Sequence, residues 1–440
     1  MRKLLLATAA SLSTLLAAGT AQAQSLKPVA PGTILIHLNG YLQFDFGAIG
    51  GNGMKGGSGA TAFKNNSIAT TGDVRLYPGF DGMTVDGLAY GAQIELRTAL
   101  TNANGSGVNN NSTSTNGVGS LYVRRAYGYI GTTNYGYVRF GQGDGAFELL
   151  QRGAGPALEA FGDGSQWTGE GTEVTMLPSG APLQFIYADQ GALYTTDKLV
   201  YISPAVEEPL LGGKFDAGVS YEPSSNGLKE GDASVSSLGG NPNDSIAGGS
   251  AKLRRNTVDG VLDYSVKIDG FATKVSGGFL ASSPDGDLGA AQPYSPMDVW
   301  QIGAQTSYAG LITPYDSIIV GANVKGGSVT DKYGFKKKGG RDALAYIVSA
   351  IYTTGPYVLG TSFFDSQESN GVIVATKVPG HTLSEYGVTV GGNYIVAKPL
   401  SLYVQYMYGN VHGASSTAFA ATAHGNDHVE AITAGATFKW

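Results

Sequence analysis

Apolar and polar positions alternate with a period of two along most of this chain. In the first such stretch the even positions are Ile36, Leu38, Gly40, Leu42, Phe44 and Phe46, and the odd ones are His37, Asn39, Tyr41, Gln43 and Asp45. Successive side chains of a strand point to opposite faces, so this segment predicts a strand with one dry face and one wet face. Residues 88–100 repeat the pattern, with Leu88, Tyr90, Ala92, Ile94, Leu96 and Leu100 against Gln93, Glu95 and Arg97. Here the wet face is charged. The same reading along the chain predicts about sixteen strands. They fall at 34–46, 68–77, 88–100, 121–131, 135–142, 197–204, 215–222, 256–267, 270–280, 297–309, 317–327, 342–354, 357–366, 384–396, 400–411 and 428–440. No apolar run after residue 23 reaches the length a membrane-spanning helix needs.

The connections between these segments alternate between long and short. The long ones are 47–67, 101–120, 143–196, 223–255, 283–296, 328–341, 367–383 and 412–427, rich in Gly, Asn, Ser and Asp. Between them lie links as short as Thr132-Thr133-Asn134, Gly355-Pro356 and Ala397-Lys398-Pro399. A soluble sandwich has no reason to place every long loop at one end. A single-chain outer-membrane barrel does, with short periplasmic turns, long external loops and an even strand number. Closure also removes the unpaired strand edges that an open sheet would present. The fold class expected is therefore all-β, a 16-stranded antiparallel transmembrane β-barrel. Tyr127, Tyr129, Tyr352, Tyr357, Phe363, Phe364, Tyr403, Tyr406 and Tyr408 fall near strand ends, where interfacial aromatic girdles belong. The last strand closes on Trp440; barrel-assembly machinery generally reads a terminal aromatic, most often Phe, from which Trp is a mild departure.

Composition sharpens this reading. Charged residues make up 14% of the 440 residues, well below the typical quarter, and the 67 glycines are about twice the usual share. The formal net charge of −6 gives no basic stripe, which excludes nucleic-acid partners. With no Cys, disulfide frameworks, thiolate metal sites and cysteine nucleophiles are excluded together. Only five His are present, and His424 and His428 have no metal-ligand spacing, so no metal or cofactor is expected and the chain does not read as an enzyme. Asp285-Gly286-Asp287 reads as a turn, and Lys336-Lys337-Lys338 as a solvated run able to meet anionic lipopolysaccharide. Arg2 and Lys3, the apolar run that follows them and the small-x-small Ala21-Gln22-Ala23 predict a signal peptide over 1–23 cleaved before Gln24. Residues 24–440 are then expected to form a single exported barrel domain.

Short motifs carry a family likeness. The run 123–131 contains Arg125-Ala126-Tyr127-Gly128, the run 137–142 reads Tyr-Val-Arg-Phe-Gly-Gln, and 198–204 and 219–223 supply the strands leaving the longest loop. In these the chain resembles the general, trimeric, sixteen-stranded porins of Gram-negative bacteria. The resemblance implies a homotrimer, an outer-membrane lipid and lipopolysaccharide environment, and a third external loop that bends into the lumen to form an eyelet. Residues 143–196, the longest connection, occupy the matching place.

Alternation then places the candidate pore-lining charges. Arg75 shares a face with Asp73 and Tyr77, Arg97 with Gln93 and Glu95, Arg124 with Ala126 and Gly128, and Arg139 with Tyr137 and Gly141. These four arginines are expected to point into water from neighbouring strands as a basic ladder, with Arg125 on the opposite face. The loop carries Asp144, Glu148, Glu159 and Asp163, of which Asp144 and Glu148 leave the strand first and are expected nearest the ladder. Opposed rows of fixed charge create a transverse field that orients dipolar solutes and sorts ions. The expected function is passive diffusion of small hydrophilic solutes and ions. Rivals are a channel selective for sugars or for anions such as phosphate, an outer-membrane barrel enzyme, and a secreted β-rich adhesin.

Overall fold

The computed structural model describes residues 29–51, 55–56, 63–64, 67–99, 122–154, 196–224, 254–284, 294–329, 333, 335–336, 338–369, 382–412 and 426–440. The predicted signal peptide, Glu159, Asp163 and Asp285-Gly286-Asp287 lie outside these residues. Among the described residues sixteen long strands form one antiparallel barrel. They are β1 (Ile34–Gly50), β2 (Ile68–Met83), β3 (Ala89–Ala99), β4 (Tyr122–Thr132), β5 (Gly136–Gln142), β6 (Asp197–Ile202), β7 (Gly213–Ser224) and β8 (Arg254–Ile268). The second half comprises β9 (Phe271–Pro284), β10 (Met297–Ala309), β11 (Asp316–Ser328), β12 (Ala343–Thr354), β13 (Tyr357–Ser369), β14 (Thr382–Ala397), β15 (Leu400–His412) and β16 (Asn426–Lys439). Each pairs with its sequence neighbours, and β1 pairs with both β2 and β16, which closes the sheet. Val206–Glu208 continues the edge of β6 against β7, and Lys55–Gly56 pairs with Phe63–Lys64 inside the first long loop.

Every segment predicted from alternation is a strand, most with ends a few residues further out. The largest extension is β2, which runs through Pro78 to Met83. Proline has no N–H to give a ladder. On the β3 side the register passes from Leu76–Leu96 to Gly79–Gln93, so Pro78 falls in a gap in the pairing. The two-residue turn Asp269-Gly270 between β8 and β9 has both residues at positive φ, 48° and 85°. That geometry matches the right-handed twist of the flanking strands.

The outer face is apolar and banded by aromatic pairs. Phe215–Tyr264 and Phe271–Tyr308 at 4.6 Å and Tyr357–Tyr394 at 5.3 Å lie at the short-turn end. Tyr346–Phe363 at 6.0 Å and Tyr386–Tyr408 at 6.1 Å lie toward the long-loop end. This is the surface a barrel presents to a bilayer. Four residues expected in these girdles instead point inward: Tyr127, Tyr129, Phe364 and Tyr403. Tyr129 donates to Asp81 inside the barrel, Gln43 donates to the Tyr403 hydroxyl at 3.0 Å, and Phe364 is fully buried. For Phe364 and Tyr403 strand parity decides the side, since their neighbours Phe363 and Tyr406 take the outer face.

Candidate functional site

The inner wall of β2–β5 carries the arginine ladder. Arg75 and Arg97 stand directly opposite each other across β2 and β3. Like charges so placed repel. Each therefore has an acid two positions away on its own strand, Asp73 for Arg75 and Glu95 for Arg97. Arg75 also lies over the Tyr41 ring, 4.9 Å from its centroid. Glu95 accepts from Arg124 at 3.3 Å and from Arg125 at 2.6 Å as well.

That last contact corrects the placement of Arg125 on the outer face. Glu95 pairs with Arg125 while the next residue, Leu96, pairs with Val123, so β4 carries one extra residue at this point. A bulge of this kind shifts the parity of the residues beyond it. Arg124 and Arg125 both turn inward, Ala126 and Gly128 turn outward, and Tyr127 and Tyr129 enter the lumen. Arg139 stands next on β5 with its guanidinium 3.5 Å from the centroid of the Tyr127 ring. It is 4% exposed and makes no ion pair among the described residues.

The long loop after β5 starts on this ladder and leaves it at once. Asp144 is held by Arg125 at 3.0 Å. Burial would raise its pKa, but the Arg125, Arg139 and Arg124 guanidiniums around it hold the carboxyl below its ordinary value. The chain then makes the single-turn helix α1 (Ala146–Leu149) and crosses to the opposite side. Its amide groups find side chains on the inner wall: Ala146 N–H donates to Ser220 at 3.2 Å, Phe147 N–H to Asp259 at 3.0 Å and Arg152 N–H to Ser276 at 3.1 Å. In return Gln301 donates to the Phe147 carbonyl at 2.5 Å and Asn323 to that of Arg152 at 2.8 Å. Arg152 grips Asp263 on β8 with two bonds of 2.9 Å. A loop backbone inside a barrel must satisfy its polar groups there, and residues of β7–β11 do so.

Glu148 consequently does not lie on the arginine ladder. It meets Lys325 on β11 at 3.2 Å, because a turn of helix carries the chain away from β5 before Glu148 is reached. Burial pushes its carboxyl pKa up, and Lys325 and the Tyr333 hydroxyl offset part of that. The two loop acids are thus neutralised by different cations on different walls.

The sequence reading missed the groups that receive the loop. Ser220, Asp259, Asp263, Ser276, Gln301, Asn323 and Lys325 are inward positions on β7–β11, and strand parity alone assigns them to the lumen. What parity lacks is the path of the loop across them. Arg125 had no such signal, because a bulge leaves no mark in the alternation.

Comparison with known proteins agrees with this architecture. A family model described as Gram-negative porin matches residues 7–440. OmpF from Salmonella typhi, solved with daunomycin, superposes at a TM-score of 0.53 with 14% identity, covering 92% of this chain and 97% of the other. The anion-selective porin from Comamonas acidovorans gives 0.52 at 11% identity, covering 93% and 100%. The outer-membrane channel DcaP of Acinetobacter baumannii gives 0.52 at 15%, covering 94% and 99%. No protein of curated function matches the chain in sequence. Sixteen closed strands, a wet inner wall and a family match over nearly the full length place this outer-membrane protein in the Gram-negative porin family.

Proposed function

We propose that the chain is a passive diffusion channel for small hydrophilic solutes and ions, narrowed where residues of 143–196 cross the lumen opposite the arginines of β2–β5. The observation that carries this is the inward course of 143–154, whose backbone is hydrogen-bonded to inward side chains of β7–β11. No bond making or breaking is required of any residue. Purified protein in a planar bilayer should give discrete conductance steps in simple salt, and their absence at every salt concentration would refute the reading.

A second reading, preference for anions, is favoured by one feature. On this wall the Arg139 guanidinium lies over the Tyr127 ring and makes no ion pair among the described residues, which places a positive charge on the ladder. Glu148 does not offset it, being paired with Lys325. Reversal potential under a salt gradient distinguishes anion preference from none.

The remaining features of this reading come from the family and the sequence. Three copies associate in the outer membrane among lipid and lipopolysaccharide after delivery by barrel-assembly machinery, and a monomer in mild detergent would count against it. Residues 1–23 are removed on export, so protein from the outer membrane should begin at Gln24.

A further inference from the structure

A second external connection reaches α1. Between β11 and β12, Val329, Tyr333 and Phe335 are buried in the same apolar cluster as Phe147 and Leu149 of the helix. The Tyr333 ring meets Phe147 edge to face, with centroids 6.3 Å apart. Beneath it the Lys325 ammonium donates to the Tyr333 hydroxyl at 2.8 Å and to Glu148 Oε1 at 3.2 Å, and the Tyr333 hydroxyl donates to the same oxygen at 3.2 Å. The Phe147 ring also lies near the ammonium, its centroid 5.2 Å away. Further along, Ser295 N–H donates to the Lys336 carbonyl at 2.8 Å and ties this connection to the segment before β10.

We propose that Lys325 and Tyr333 are positioning residues for the constriction, clamping α1 between the β11 wall and the connection above it through Glu148. The proposal rests on the reading of the chain as a channel narrowed by 143–196. Three segments distant in sequence converge on one carboxylate, whose side chain is 3% exposed beside an ammonium at 1%. Burying such a pair adds little net stability, because desolvation cancels most of the attraction. It does penalise every arrangement that separates the two charges. One location of the helix satisfies the carboxylate, the ammonium and the phenol together, and removing the ammonium takes away the counter-charge and one of the two donors to Glu148, so that this location is no longer favoured over others.

The test is single-channel recording of wild type, Lys325→Met, Tyr333→Phe, Glu148→Gln and the double variant Lys325→Met/Glu148→Gln. Each is first shown to be a closed barrel by its heat-dependent gel mobility. Lys325→Met should raise open-channel current noise several-fold and change the conductance, and Tyr333→Phe, which keeps the ring, should do the same to a smaller extent. The double variant removes both charges and should return toward the quiet wild-type trace. Folded single variants with wild-type noise and conductance would overturn the proposal, as would a double variant as noisy as Lys325→Met. If Lys325→Met fails to fold, Tyr333→Phe and Glu148→Gln decide by the same criterion. A wild-type protein that never conducts would sink the channel reading instead.

Discussion

Arg139→Ala isolates the electrostatic part of the proposed function. The guanidinium lies over Tyr127 and makes no ion pair among the described residues, the nearby Asp144 carboxylate being bonded to Arg125 instead. At about 5 Å a unit charge acts on a passing ion with about 0.8 kcal/mol in water, cut to about 0.5 kcal/mol by salt screening. The effect has opposite sign for anions and cations, so it separates them by about 1 kcal/mol, or about fivefold in relative permeability. The nearby low-dielectric wall makes this a lower bound. Folded Arg139→Ala should therefore move the reversal potential toward cations under a potassium chloride gradient, while Arg139→Lys, which keeps the charge and loses the planar stack, should stay near wild type. An unchanged reversal potential in Arg139→Ala, or an equal shift in both variants, would refute the assignment of selectivity to the ladder.

Other outcomes rest on the same contacts. Arg152→Ala strands Asp263, whose side chain is 2% exposed, and should cost about 3 kcal/mol in stability, read as a lower unfolding temperature, with conductance altered because the loop loses its grip on β8. Asp144→Asn should remove one negative charge beside Arg125, which keeps its bond to Glu95, and shift selectivity toward anions. Because the Asp144 pKa is depressed, the pair contributes fully above the ordinary value of 3.8 and is lost only as pH falls through the lower folded value. Wild-type selectivity attributable to it should hold from neutral pH down to that point, which reversal potentials across a pH series would check. Gly40→Val should weaken barrel closure, since a Cβ there would overlap the Trp440 ring, whose residue bonds the Gly40 backbone at 3.1 and 3.2 Å. Heat-dependent gel mobility should show unfolding at a lower temperature, and Trp440→Ala in the same chain should restore part of the loss.

The strand count and the order of long and short connections were legible in the sequence because both depend on local chemistry. A strand wet on one side and lipid-facing on the other must alternate, and turns of a few residues leave neighbours no choice but to pair antiparallel. The inward face of Arg75, Arg97 and Arg139 came from the same parity. Tertiary structure alone decided the rest. One added residue in β4 turned Arg125, Tyr127 and Tyr129 into the lumen against the simple count, and pairing geometry, not composition, set that bulge. The separation of Asp144 from Glu148 was equally invisible, since their partners Arg125 and Lys325 stand on strands that only closure of the barrel brings within reach of one short loop segment. Alternation records which way a side chain points. What it meets there depends on contacts between residues far apart in the chain, and those exist only once the sheet has closed.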